Sequence, residues 1–203
     1  LSRLKESGID PYPAVAERAR SSAGGRPAAL QDFVKNFEVK RLIASGGMGS
    51  VYEAHDRALD RVVAIKRMCP ELRGDPGGMS RFVREARITA ALRHPNIVEI
   101  YSVIEADGET LLVLEFVNGP TLADVIETKG ALSPGECLRV VRQAGCALEF
   151  AHSRRVIHRD FKPSNVMLDE SGVVKVMDFG VARVLKQALS KVGGSGIFGT
   201  LSY

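Results

Sequence analysis

Asp160, Lys162 and Asn165 fall within the stretch V-I-H-R-D-F-K-P-S-N-V-M-L, residues 156–168. A carboxylate, an ammonium and a carboxamide therefore share one short polar loop, with Val156-Ile157 before it and Val166-Met167-Leu168 after it. Pro163 stiffens the loop and disfavours helix at Lys162. A proton-accepting carboxylate, a phosphate-facing cation and a metal-ligating oxygen on one rigid turn suit phosphoryl transfer, which depends on positioning and charge stabilisation. Alone, the H-R-D triplet also suits a surface turn. A second acidic motif, Asp178-Phe179-Gly180, follows thirteen residues beyond Asn165, and residues 173–176 read as a short strand that delivers it.

The elements that must hold these groups begin upstream. Strands are predicted over 37–43, 51–54 and 61–68. Ser45-Gly46-Gly47-Met48-Gly49 joins the first two. Glycines there let the backbone close over a ligand without a Cβ in the way, although a generic Gly-rich hairpin fits as well. In V-V-A-I-K-R-M, a period of two puts Ala64, Lys66 and Met68 on one face and Val63, Ile65 and Arg67 on the other. Lys66 thus sits among apolar neighbours, where an unpaired ammonium is costly. A helix predicted over 79–92 offers a partner. Phe82, Ala86, Thr89 and Leu92 form its inward stripe, and Glu85 falls inside that stripe. A Lys66–Glu85 ion pair is expected; the alternative is a snorkelling lysine with a glutamate at the stripe's edge.

His94-Pro95-Asn96 ends that helix. Strands over 97–105 and 110–116 follow, joined by an Asp107-Gly108 hairpin turn, and residues 115–119 leave the sheet as a hinge. A helix over 121–129 opens with Thr121-x-x-Asp124. A longer one opens with Ser133-Pro134-Gly135-Glu136, a capping box with proline at the first helical position. Its expected buried stripe is Leu138, Val141, Ala144, Leu148 and Ala151. His152 and His158 read as structural. Pro11, Pro13, Pro27 and a Ser-Ser-Ala-Gly-Gly run make 1–34 a flexible tail with a short helix near 14–20, and Gly193, Gly194 and Gly196 mark a mobile stretch over 186–199. The division expected is 1–34, 35–116 and 117–203.

At 203 residues, 45% hydrophobic and 26% charged, the composition is that of a globular protein of one domain or two small lobes. The net charge of +4 is scattered, so no nucleic-acid partner is expected. No apolar run reaches the ~18–20 residues of a membrane span, and no signal-peptide pattern opens the chain. It begins at Leu, which leaves room for an upstream piece. Three cysteines without C-x-x-C spacing argue against a zinc site or disulfide framework and fit reduced, cytoplasmic thiols.

With Lys66, Glu85, Asp160, Asn165 and Asp178 in this order, residues from about 37 to 203 resemble a eukaryotic-type protein kinase. Gly-Gly-Met-Gly-Ser-Val-Tyr and H-R-D-F-K-P resemble its bacterial Ser/Thr branch, and Thr200 fits the same branch. The resemblance implies an α+β, bilobal fold. Its N-lobe would be an antiparallel five-stranded sheet plus one helix, and its C-lobe mainly helical, incomplete, and ending in the activation segment. It implies ATP-dependent transfer of the γ-phosphoryl group to Ser/Thr hydroxyls of protein substrates, with Mg²⁺ as the metal and Mn²⁺ as an alternative. Asp160, Lys162, Lys66 and Glu85 would be catalytic, and Asn165 and Asp178 would hold the metal. Ile43, Gly46, Gly49, Val51, Ala64, Lys66, Leu114, Glu115, Val117 and Met167 would bind the nucleotide. Arg159 would grip a phosphorylated residue, with Ser190 and Ser195 as candidates, and His158 would pack near Phe179.

Two departures stand out. Ala44 replaces the first glycine of G-x-G-x-x-G-x-V, and the chain stops before A-P-E. A fragment with exposed apolar helix surface, weakly active or inactive alone, is the expectation. The rival readings are a nucleotide-binding pseudokinase scaffold and a small-molecule kinase of the same fold. A cytoplasmic location is expected, with an anchor elsewhere in a full-length protein and a dimer both left open.

Overall fold

Period-two alternation along the central strands places an apolar layer on each face of one sheet. The computed structural model describes residues 36–46, 49–68, 76–106 and 109–179. Strands β1 (Phe37–Gly46), β2 (Gly49–Asp56), β3 (Arg61–Met68), β4 (Ile100–Ala106) and β5 (Glu109–Glu115) pair antiparallel in the order β1-β2-β3-β5-β4. On one face Val63 and Ile65 pack with Tyr52, Ala54, Leu111 and Val113. On the other, Met68 and Leu112 pack under Phe82, Val83 and Ala86 of helix α1 (Pro76–Ala90). The predicted alternation of β3 is therefore the observed one.

Boundaries differ where pairing outranks local pattern. β1 and β2 stay paired up to the glycines, through register shifts between Val39 and Arg41 and between Leu42 and Ala44, with Gly46 opposite Gly49, so both run longer than expected. α1 starts at Pro76, because proline is tolerated in the first turn. It ends at Ala90, and the N–H groups of Ala91 and Leu92 close a tight turn onto Ile88 and Thr89. Residues 97–99 were expected in a strand, but β4 begins only at Ile100. Ile97 instead bridges in parallel to Val176, and the Val98 N–H donates to the Val176 carbonyl at 2.9 Å.

After the sheet come helices α2 (Leu122–Lys129) and α3 (Pro134–Ser153), a single 3-10 turn (Pro163–Asn165) and the hairpin β6 (Val166–Leu168)–β7 (Val174–Val176). Both predicted helix starts carry reciprocal capping boxes, Thr121 with Asp124 and Ser133 with Glu136. Cys137 and Cys146 are free and exposed on α3. Among the described residues no helix is long and apolar enough to cross a membrane. The tail over 1–34, most of the Gly47-Met48 turn region, Asp107-Gly108, Gly180 and the stretch holding Ser190, Ser195 and Thr200 lie outside the described residues.

The stripe expected on α3 is corrected. Leu138 and Val141 are 59% and 67% exposed, whereas Val140, Ala144, Ala147 and Ala151 are buried. The buried row packs against Val156, Val166, Val174 and Val176. Helical periodicity admits both rows, since each contains Ala144 and Ala151. The row built on small alanines wins because it brings the helix axis close to the hairpin. Ala147→Leu is expected to overpack that contact and destabilise the protein by about 1–3 kcal/mol. Val141→Ala should stay within about 0.5 kcal/mol of the parent. Chemical denaturation midpoints compare the two, and the reverse ranking would restore the row through Leu138 and Val141.

Candidate active site

Lys66 lies on β3 opposite Leu112 of β5, on the face turned towards a cavity of about 300 Å³. It is only 6% exposed. Its ammonium donates to both carboxylate oxygens of Asp178, at 2.7 and 2.8 Å. The expected Lys66–Glu85 pair is not formed: Glu85 is half-buried on α1, and among the described residues the only acid joined to Lys66 is Asp178.

The β6–β7 hairpin explains how Asp178 gets there. Val166 pairs with Val176, and the Met177 N–H extends the ladder by donating to the Asn165 carbonyl at 3.0 Å. Asn165 and Asp178 are thereby held at one end of the hairpin. Asn165 in turn donates through Nδ2 to the Asp160 carbonyl at 2.8 Å and to Asp160 Oδ2 at 3.1 Å. Lys162 Nζ lies 3.0 Å from the same Asp160 Oδ2. The carboxylate, ammonium and carboxamide read from the loop therefore form one contact group. Asp178 (φ +64°) and Arg159 (φ +67°) both adopt left-handed backbone, a conformation uncommon for non-glycine residues and often found at functional sites.

His158 joins the loop to the hairpin. Its Nδ1 accepts the Asp160 N–H at 3.3 Å, so Nε2 carries the proton and donates to the Met177 carbonyl at 2.9 Å. The ring packs on Phe179 with centroids 4.6 Å apart, as the family resemblance implies. Burial pushes its pKa below the usual histidine range, against the opposing pull of the Met177 carbonyl and the Asp178 and Asp160 charges. His158 is a neutral strut.

At the other end of the cavity β5 runs into residues 115–121. Glu115 gives its N–H to the Glu99 carbonyl at 2.9 Å, and its side chain pairs with Lys175 of β7 at 2.6 Å. Val117 is 9% exposed, and among the described residues its backbone N–H and C=O meet no hydrogen-bond partner. Buried backbone groups are nearly always paired, so this pair of groups is available to a ligand. Gly119 is required by close approach, since a Cβ there would overlap the Leu168 carbonyl.

Ile43, Val51, Ala64, Lys66, Leu114, Glu115, Val117 and Met167 all line the cavity, together with Ala44 and Asp178. Gly46 and Gly49 do not line it; Gly46 is exposed, and Gly49 has φ +121°. Asp160, Lys162 and Asn165 stand beside the lining, tied to it through Met177. Thr89, Met177 and Thr121 also line the cavity, although no motif in the sequence marks them as ligand-facing. Thr89 could have been found, as a hydroxyl inside an apolar stripe needs a partner.

Among the described residues no cluster of three or more His, Cys, Asp or Glu could hold a metal ion by itself. Asp178 and Asn165 do fit a hard cation that fills its shell with phosphate oxygens and water. With Nδ2 of Asn165 committed to Asp160, its Oδ1 meets no donor among the described residues.

Comparison with known proteins bears on this geometry. Residues 37–203 match the protein kinase domain family. The chain is 39% identical over 181 residues to the serine/threonine-protein kinase PknB of Mycobacterium leprae, covering 87% of this chain and 29% of that protein. It is 42% identical over 149 residues to the serine/threonine-protein kinase PrkC of Bacillus subtilis, covering 73% and 23% respectively. It is also similar to the crystal structure of the Mycobacterium tuberculosis PknI kinase domain, at 31% identity and a TM-score of 0.65, covering 72% of this chain and 59% of that one. The chain spans less than a third of the length of these curated relatives.

The neutral His158 makes a pH prediction. With its folded-state pKa depressed, its contribution is complete above the unfolded value of about 6.5 and is lost as pH falls from there towards the folded value. The urea midpoint is expected to drop over that acid window, and His158→Gln should flatten the drop while lowering the midpoint at neutral pH. An unchanged slope in that variant would assign the acid sensitivity to other groups, such as His94, whose pKa burial also lowers.

Proposed function

The chain belongs to the protein kinase domain family, and from that premise we propose that it transfers the γ-phosphoryl group of ATP to serine or threonine hydroxyls of other proteins. One observation carries this reading. Lys66 and Asp178, 112 residues apart in sequence, meet at 2.7 Å on the wall of a cavity whose opposite end presents the unpaired backbone of Val117. A site with a charged end and an apolar end carrying free backbone groups suits a nucleotide.

The roles follow from position. The N–H and C=O of Val117 and the carbonyl of Glu115 would bind the edge of the base, with Ile43, Val51, Ala64, Leu114 and Met167 enclosing its faces. Lys66 would exchange Asp178 for the α- and β-phosphates. Gly46 and Gly49 would let the β1–β2 turn approach the phosphates. Asp178 and the Oδ1 of Asn165 would hold Mg²⁺, or Mn²⁺ in its place. The ion, when bound, supplies charge neutralisation along the phosphate chain. Asp160, oriented by Asn165, would accept the proton of the substrate hydroxyl, and Lys162 would move from Asp160 to offset charge on the transferred group. Glu85 is assigned to Lys66 in the nucleotide-bound state, when Asp178 has left that lysine. Arg159, exposed beside this group, is assigned to a phosphorylated activation-segment residue. Residues 35–116 and 117–203 would act as two lobes about the cavity, in the cytoplasm where ATP is available.

Asp160→Asn is expected to reduce phosphoryl transfer to a generic protein substrate by about 10²–10⁴-fold while leaving nucleotide binding intact. The assay is transfer of labelled phosphate from ATP with Mg²⁺, beside a parallel nucleotide titration. Binding without transfer by the full-length protein would favour the scaffold reading. Equal transfer by both forms would remove Asp160 from the mechanism.

A further inference from the structure

We propose that Thr89 is a positioning residue for Asp178: its hydroxyl latches the backbone beside that carboxylate to helix α1 and so tunes the affinity for the divalent cation. The inference rests on the nucleotide–metal reading above and adds a residue to it.

Thr89 is in the last turn of α1 and only 5% exposed. A threonine hydroxyl in a helix can bond back to a carbonyl three or four residues earlier. Here Oγ1 instead donates to the Phe179 carbonyl at 3.1 Å, across 90 residues of sequence. Valine would fill the same volume without a buried hydroxyl to satisfy, so the packing alone does not call for threonine.

The bond falls where the backbone needs holding. Asp178 is in left-handed conformation, and such a residue keeps its geometry only where its flanks are fixed. On one flank the Met177 N–H donates to Asn165 at 3.0 Å, and the Met177 carbonyl accepts from His158 at 2.9 Å. On the other flank Phe179 has its ring buried against His158 and its carbonyl held by Thr89. Two of these three bonds come from the catalytic loop and its turn. The third comes from α1, whose Phe82, Val83 and Ala86 are packed on the sheet. Through Thr89 the seating of α1 reaches Asp178 even though Glu85 does not reach Lys66 in this structure.

The test titrates Mg²⁺ against ATP binding in the unsubstituted protein, in Thr89→Val and in Thr89→Ser, with ATP binding in chelator as the metal-free reference. Thr89→Val is expected to raise the half-saturating Mg²⁺ concentration by about threefold to tenfold, as for one lost hydrogen bond, with a smaller effect on metal-free affinity. Thr89→Ser keeps the donor and should restore the original Mg²⁺ dependence. Amide exchange at residues 177–179 should quicken in the valine variant alone. A valine variant with unaltered Mg²⁺ dependence overturns the latch, as does an equal loss of metal-free binding or a serine variant that behaves as valine does. Should the valine protein not fold, Thr89→Cys, with a poor donor of similar size, makes the same comparison. An unsubstituted protein whose ATP binding ignores Mg²⁺ would instead overturn the metal reading itself, and the latch with it.

Discussion

An ammonium placed in the wall of an apolar sheet must have a counter-charge, and that constraint organises this chain. Lys66 cannot leave β3 without flipping the strand's alternation, which would expose Val63 and Ile65 to the wrong layer. Removing one partner of a buried ion pair costs about 3–5 kcal/mol, comparable to much of a small domain's net stability. The chain supplies Asp178 from 112 residues away. Together with the Glu115–Lys175 pair, that contact joins the five-stranded sheet to the hairpin. On the proposed function a phosphate would replace the carboxylate on Lys66 while a cation replaced the ammonium on Asp178, so that each charge would keep an opposite charge and the exchange would avoid the desolvation cost of breaking an ordinary buried pair.

Exchange of partners works only if the backbone around the carboxylates does not drift. A hairpin with strands of three residues each is a weak frame by itself. It is stiffened from outside: Asn96 donates to the Val174 carbonyl at 2.8 Å, Gln143 accepts the Val174 N–H at 3.0 Å, and the Ala144–Ala147–Ala151 row packs on it. Its turn is closed by Asp169, whose Oδ1 accepts the N–H groups of Ser171 and Val173, both at 2.8 Å. His158 then fixes the catalytic loop to the hairpin's end in one tautomer, and its neutrality matters. A charged imidazole would have no acceptor for its second N–H, because the group facing Nδ1 is the Asp160 N–H.

What could be read from the residues divides along range of interaction. The alternation in β3, the Thr121 and Ser133 caps and the grouping of Asp160, Lys162 and Asn165 are local patterns, and the structure reproduces them. The choice between Glu85 and Asp178 for Lys66 was not legible. Both are acids pointed to by motifs, and only the relative placement of α1 and the hairpin decides between them. The buried row of α3 was misjudged because large apolar residues outweigh alanine in any hydropathy pattern, while close packing against a hairpin favours the small side chain. Ile97 was drawn into the wrong element for a related reason: a β-branched residue suits either sheet, and its partner Val176 lies far along the chain. The Gly119 approach to Leu168 and the Glu115–Lys175 pair left no local trace at all.

These long-range contacts are also what give the cavity two unlike ends. At the charged end, Lys66 is paired with Asp178, and Asp160 with Lys162 and the Asn165 amide N–H. At the other end, Gly119 pressed on Leu168 and Glu115 tied to Lys175 hold the 115–119 segment against the hairpin, and the Val117 N–H and C=O meet no hydrogen-bond partner among the described residues. An unpaired buried amide costs about 1–3 kcal/mol, and a ligand with a planar donor–acceptor edge recovers that cost on binding. On the proposed function, part of the affinity for such an edge would be stored in the fold before the ligand arrives, and the interactions of the charged end would be reserved for groups whose charge moves during transfer.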